Sequence, residues 1–140
     1  MGCYNSTIVN ASADKVWDTI KNFHDLSWSA NVVSKVDIIG DKKGDELGAK
    51  RILNDAFHET LVSVNEDEKT FTYSIDDGPA AVASDNVSGY VGRVQVFPNT
   101  ADGNSFVLWT SEWESSNGGV AELCNPIYHA ILGDLKGHFE

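Results

Sequence analysis

Residues 119–139 read GVAELCNPIYHAILGDLKGHF. Apolar side chains fall at Val120, Leu123, Ile127, Ile131, Leu135 and Phe139. Steps of three and four put them on one face of a helix. Ala130, Gly133 and Gly137 flank that stripe, where small residues would let a backbone or a ligand approach closely. Pro126 removes one helical hydrogen bond and predicts a kink near Asn125. The alternative is a shorter helix capped by Asn125, with Pro126 in its first turn. In both cases a long amphipathic helix closes a chain that is otherwise mostly strands, and it needs a broad apolar surface to cover it.

The preceding sequence supplies that surface. Runs rich in β-branched and aromatic residues predict strands at about 4–10, 32–39, 49–53, 57–64, 70–75, 87–97 and 106–113. Ser12 opens a helix as its N-cap, and Val16, Trp17, Ile20 and Phe23 form the buried face. His24 to Trp28 reads as a turn and a short second helix. Loops are expected at 41–44, 76–86 and 99–103. The order strand, two helices, six-stranded meander, long helix is an α+β pattern with helices segregated from an antiparallel sheet. Such a sheet of seven strands can curl around the last helix and leave a space between them. Segment 76–86, with its Gly, Pro, Ser and Ala, is expected to be a mobile gate at the mouth of that space.

At 140 residues, with 41% apolar and 22% charged residues, the chain is expected to form a single domain over 1–140. No apolar run approaches the length of a membrane span. A net charge of −11 disfavours nucleic acid and anionic lipid surfaces. Cys3 and Cys124 have no paired spacing, so no disulfide and a reduced, cytoplasmic setting are expected. The opening MGCYNS matches an acylation pattern, but the first strand begins almost at once. The three Asn-x-Ser/Thr triplets, at Asn5, Asn10 and Asn86, lack a secretory signal and read as chance matches.

Several kinds of chemistry are absent. There is no Gly-rich phosphate loop. His58-Glu59 begins a zinc-protease pattern, but Val62 stands where the second histidine would be. His24, His58, His129 and His138 show no ligand spacing, so neither metal nor cofactor is expected.

Strand parity locates the polar residues of interest. Alternate residues share a face. Ala49, Arg51 and Leu53 go together, as do Phe57, Glu59, Leu61 and Ser63, then Phe71, Tyr73 and Ile75. Tyr90, Gly92, Val94 and Val96 form a fourth set, and Val107, Trp109, Ser111 and Trp113 a fifth. These mainly apolar sets belong to the concave face. Arg51, Glu59 and Tyr90 are polar intruders there, and an unpaired buried charge would cost several kcal/mol. One reading is a satisfied buried ion pair with a tyrosine hydrogen bond. The other is the polar end of an apolar pocket, where Arg51 binds an oxygen or an anion and Glu59 and Tyr90 exchange protons. Tyr73, Trp109, Trp113, Leu61, Ile127 and Ile131 are the candidate apolar walls. Trp17 is assigned to the core and Trp28 to the pocket mouth.

Taken together, ASADKVWDTIKNF, GAKRIL, HETLVSVNEDEKTFTYSI, GYVGRVQVFP and SFVLWTSEW resemble, in order and spacing, the START-like or SRPBCC superfamily. The resemblance implies a helix-grip fold: a curved seven-stranded antiparallel sheet around a long C-terminal helix. Within the superfamily the chain is similar to the polyketide cyclase/dehydrase-type group. It is also similar to the branch holding lachrymatory factor synthase and the abscisic acid receptors. In the synthase, an arginine in Gly-x-x-Arg, a glutamate in Glu-x-Leu and a tyrosine opening Tyr-Val-x-x-Val-Gln-Val carry acid/base work. The matching positions are Arg51, Glu59 and Tyr90. The lysine with which the receptors grip their hormone has no evident counterpart, and 76–86 does not match their gates. The resemblance implies either a binder of a small, largely apolar molecule with one polar group, or a cyclase, dehydratase or isomerase using the trio. A surface-acting co-chaperone lacks the exposed apolar stripe it would need. A monomer or weak dimer is expected.

Overall fold

The computed structural model describes residues 2–140. Seven strands make one sheet: β1 (Gly2–Val9), β2 (Val36–Ile39), β3 (Lys50–Leu53), β4 (Phe57–Asn65), β5 (Thr70–Asp77), β6 (Val87–Pro98) and β7 (Ser105–Ser115). Their order is β1-β7-β6-β5-β4-β3-β2, with every neighbouring pair antiparallel. The sheet curves around the long helix α2 (Val120–His138), which packs against β1, β7 and the segment before β2. A shorter helix, α1 (Ala13–Ile20), covers β6 and β7. This is the α+β helix-grip arrangement. Among the described residues no helix is long and apolar enough to cross a membrane.

α1 starts where its sequence dictates. Ser12 accepts a hydrogen bond from the Lys15 amide at 3.3 Å, and Ala13, Val16, Trp17 and Ile20 are buried. Trp17 belongs to the core, and its indole N–H donates to Glu66 Oε2 at 2.6 Å. Phe23 is buried too, but from the loop beyond the helix end. Gly2 to Ser6, the bulk of the acylation match, pair with β7 inside β1.

Three local expectations fail for identifiable reasons. The second short helix shrinks to one 3₁₀ turn at Ser27–Ser29. Asp25 Oδ1 accepts from both the amide and the hydroxyl of Ser27, a local turn that competes with helix growth. The second strand begins at Val36 rather than near residue 32. The Asn54 carboxamide takes the place of a strand partner there, accepting from the Ser34 and Lys35 amides and donating to the Val32 carbonyl. Ser63 is exposed, because a bulge at Val62 reverses parity and turns Val64 inward.

Segment 76–86, expected to be a mobile gate, contributes no residue to the cavity between sheet and helix. Segment 78–86 is tied down by Asp77, whose Oδ1 accepts from the Gly78 and Ser84 amides. Asn86 Nδ2 donates to the Ala81 and Gly118 carbonyls, and Val82 is fully buried. The apolar side chains give this segment a core anchor that composition alone did not reveal.

α2 is one helix through Pro126, so the shorter Asn125-capped helix does not occur. Asn125 instead accepts from the Asn5 side chain of β1 at 2.9 Å. The helix is also rotated from its expected phase. Val120, Cys124, Tyr128, Ile131, Leu132 and Leu135 are buried, whereas Leu123 and Ile127 are half-buried. Ala130, Gly133 and Gly137 face solvent, with open space around both glycines. The small residues therefore admit neither a backbone nor a ligand.

Candidate functional site

Arg51 on β3 and Glu59 on β4 are directly opposed in the register. Both point to the concave face and are about 95% buried, at 4% and 6% exposure. Adjacent antiparallel strands bring facing Cβ atoms to about 5 Å, within reach of a two-bonded ion pair. Arg51 Nε and Nη2 both donate to Glu59 Oε1, at 2.8 and 2.7 Å. Its Nη1 donates to the Phe23 carbonyl at 2.8 Å. The guanidinium lies over the Phe23 ring at 3.7 Å, with Tyr73 at 5.6 Å on another side. Phe23 thus serves Arg51 twice, by its carbonyl and by its ring. Among the described residues no hydrogen bond to Glu59 Oε2 is seen, and this oxygen is not one of the sealed-off buried polar atoms.

Burial pushes the Glu59 carboxyl above the usual carboxylate range, and Asp76 adds to this. Arg51 pulls in the opposite direction by its charge and its hydrogen bond. The net direction is upward: desolvation outweighs the pairing.

A second polar cluster crosses from the sheet to α2. Trp109 Nε1 donates to the Tyr73 hydroxyl at 3.0 Å. The Tyr73 hydroxyl is 2.9 Å from that of Tyr128, which in turn bonds that of Tyr90. The Trp109 and Tyr128 rings stack at 4.6 Å. Desolvation raises all three phenols well above their ordinary range. Gly92, opposite Tyr73 on β6, makes the arrangement possible, since a Cβ there would overlap the phenol.

Between the clusters lies a cavity of about 140 Å³. Arg51, Glu59, Tyr73, Trp109 and Tyr128 line it, with Ile127 and Ile131 on the helix side and Leu26, Val33 and Ile75 completing the apolar wall. Among the expected site residues, Arg51, Glu59, Tyr73, Trp109, Ile127 and Ile131 therefore share one space. Tyr90, Trp113 and Leu61 are buried but do not line it. A bulge at Gly89–Tyr90 aims Tyr90 beneath α2, where it stacks on Trp113 at 5.4 Å. Leu61 is core beside Tyr73, its register partner. Trp28 does not line this cavity but an adjoining space that shares Leu26, Arg51 and Trp109 with it, and its indole N–H donates to the Asp25 carbonyl at 3.2 Å.

Tyr128 is a polar lining residue that the sequence reading passed over. The available signal was the alternative helical column Cys124, Tyr128, Leu132, spaced by four. Cys124 also lines the cavity, and burial pushes its thiol up to about 11. Cys3 and Cys124 are both free thiols. No group of three or more His, Cys, Asp or Glu side chains among the described residues is placed to hold a metal ion.

The comparisons agree on the fold. The family described as polyketide cyclase/dehydrase and lipid transport matches residues 3–140. A solved protein of Nitrosospira multiformis is 37% identical, covers 100% of this chain and 97% of its own, and superposes with a TM-score of 0.97. The protein XoxI of Bacillus cereus is 22% identical over 99% of this chain and 94% of its own, with a TM-score of 0.80. Ginseng major latex-like protein 151 from Panax ginseng is 16% identical over 100% and 97%, with a TM-score of 0.81. The last two show a shared fold. No curated protein matches the sequence. With its seven-stranded antiparallel sheet gripping a long C-terminal helix, and a family match from residue 3 to residue 140, this chain belongs to the polyketide cyclase/dehydrase and lipid transport family of the START-like superfamily.

Proposed function

We propose that the protein binds a small, largely apolar molecule in the cavity between sheet and helix, with the ligand's polar group at Glu59. The observation that carries this reading is the free Oε2 of a buried carboxylate beside an apolar wall. A purely structural ion pair would be expected to turn both oxygens into the protein, whereas Oε2 is not sealed in and lies at the cavity. Arg51 holds Glu59 in place and keeps its charge tolerable in the interior. Tyr73, Trp109, Ile127 and Ile131 supply shape and apolar contact.

The test is thermal denaturation against a panel of small apolar and amphipathic molecules. At least one should raise the Tm of the unaltered protein. Ile127→Trp, which fills the space from the half-buried side of α2, should fold and lose that response. A panel without effect on the unaltered protein would refute the reading.

One observation favours a second reading, acid/base catalysis. Burial raises the Glu59 carboxyl toward the range where proton transfer at neutral pH is efficient. Glu59 Oε2 would take a proton from the ligand and return it at another atom, as a cyclisation, dehydration or isomerisation requires. Arg51 would position the carboxylate. Tyr128 would stand at the cavity in the place expected for Tyr90, with Tyr90 behind it. Under this reading Glu59→Gln abolishes turnover and leaves ligand affinity within a few-fold. Under binding alone there is no turnover to lose.

A further inference from the structure

The lining groups differ sharply in what they can still offer a ligand. Three of the five Arg51 N–H groups already have partners, two bonds going to Glu59 and one to the Phe23 carbonyl. The Asn54 carboxamide is spent on residues 32–35. The Trp109 indole N–H is given to Tyr73. The hydroxyls of Tyr73, Tyr128 and Tyr90 are engaged with one another. The group left open to the cavity on the charged side is an acceptor, Glu59 Oε2. A ligand carboxylate would face the Glu59 carboxylate at close range and compete with it for Arg51.

Size narrows the choice further. The volume is about 140 Å³, close to the ~150 Å³ that admits one benzene ring in an apolar protein cavity. A polycyclic or long-chain molecule would have to extend beyond that space. Resting on the pocket reading above, we propose that this cavity selects compact, uncharged hydrogen-bond donors of about one ring in size, such as simple phenols and alcohols, over carboxylates and long acyl chains.

Calorimetric titration of the unaltered protein at neutral pH with phenol, benzene, benzoate and dodecanoate tests this directly. Phenol should bind with a Kd of about 1 mM or tighter, in the range open to so small a ligand. Benzene should bind about tenfold more weakly, lacking the donor. Benzoate should be weaker than phenol by at least a similar factor, and dodecanoate should give no heat. Benzoate or dodecanoate binding as tightly as phenol would overturn the proposal. So would silence from all four probes while another molecule of the wider panel still raises the Tm, an outcome that leaves the pocket reading standing. Two variants add an independent check. Glu59→Gln should erase most of the preference of phenol over benzene. Ile131→Ala, which enlarges the space from α2, should admit 1-naphthol at least tenfold better than the unaltered protein does. If Glu59→Gln does not fold, the probe series on the unaltered protein decides alone.

Discussion

The concave face holds two buried polar clusters, and they are built in different ways. Arg51 and Glu59 face each other across one strand pair, so the register of β3 and β4 brings them together without help from the helix. The Trp109–Tyr73–Tyr128–Tyr90 chain draws on β5, β6, β7 and α2. The difference follows from energetics. A buried charge without its partner costs several kcal/mol, so the pair is set on neighbouring strands where the sheet guarantees contact. A phenol lost from a neutral network costs about 1 kcal/mol, and such a network can depend on how a helix settles. The cavity lies where the two meet, with the charge on one side and the hydroxyls on the other.

Breaking the charged cluster should have the largest effect. Arg51→Ala leaves Glu59 buried and unpaired, and should lower stability by about 3–5 kcal/mol in urea denaturation at neutral pH. The double variant Arg51→Ala/Glu59→Gln should recover part of that loss. Equal destabilisation by the single and double variants would mean that packing on Phe23, not charge, dominates at Arg51.

The hydroxyl cluster should yield less. Gly92→Ala forces the Tyr73 ring aside, because the new methyl would occupy the space of its phenol. A loss of about 1–3 kcal/mol is expected, as for other overpacked sites, together with a changed Trp109 fluorescence spectrum. Tyr128→Phe removes the link between Tyr73 and Tyr90 and should cost about 1–2 kcal/mol. If Tyr128→Phe proved as damaging as Arg51→Ala, the contrast between the clusters would fail.

Smaller still is the pH effect of Glu59, since Arg51 opposes burial there. The folded carboxyl is raised, so the unfolded chain ionises first. The stability contributed by this group is fully present below its unfolded value of about 4.3 and is lost as pH climbs through the folded value. The pH–stability curve of the unaltered protein should therefore slope downward through this window relative to that of Glu59→Gln. The opposite slope would mean that the ion pair outweighs desolvation. Smallest of all, Cys124, raised to about 11, should react with thiol reagents at pH 8 far more slowly than an exposed cysteine.

Much of this was legible before the structure. The seven strands, the antiparallel meander, the long final helix and the inward direction of Arg51, Glu59, Tyr73 and Trp109 all followed from strand periodicity and turn residues. Apart from the local Asp25–Ser27 turn that shortened the second helix, the failures share a cause: each depends on a contact with a residue distant in the chain or on a break in periodicity. The bulge at Val62 reversed the parity of Ser63. Asn54 displaced the start of β2. Val82 and Asn86 pinned a segment whose composition read as a mobile gate.

What the sequence by itself determined was the sheet face, because alternation is a local geometric rule that holds until a bulge interrupts it. What only the tertiary structure decided was the rotation of α2, and with it the identity of the lining residues. Apolar side chains lie on two overlapping columns of that helix, Leu123–Ile127–Ile131 and Cys124–Tyr128–Leu132, so sequence gave two nearly equivalent phases. The choice rests on the fit of Tyr128 against Trp109, Tyr73 and Tyr90, three residues that the curved sheet brings together from three strands. That rotation put Tyr128 at the cavity and left Tyr90 behind it.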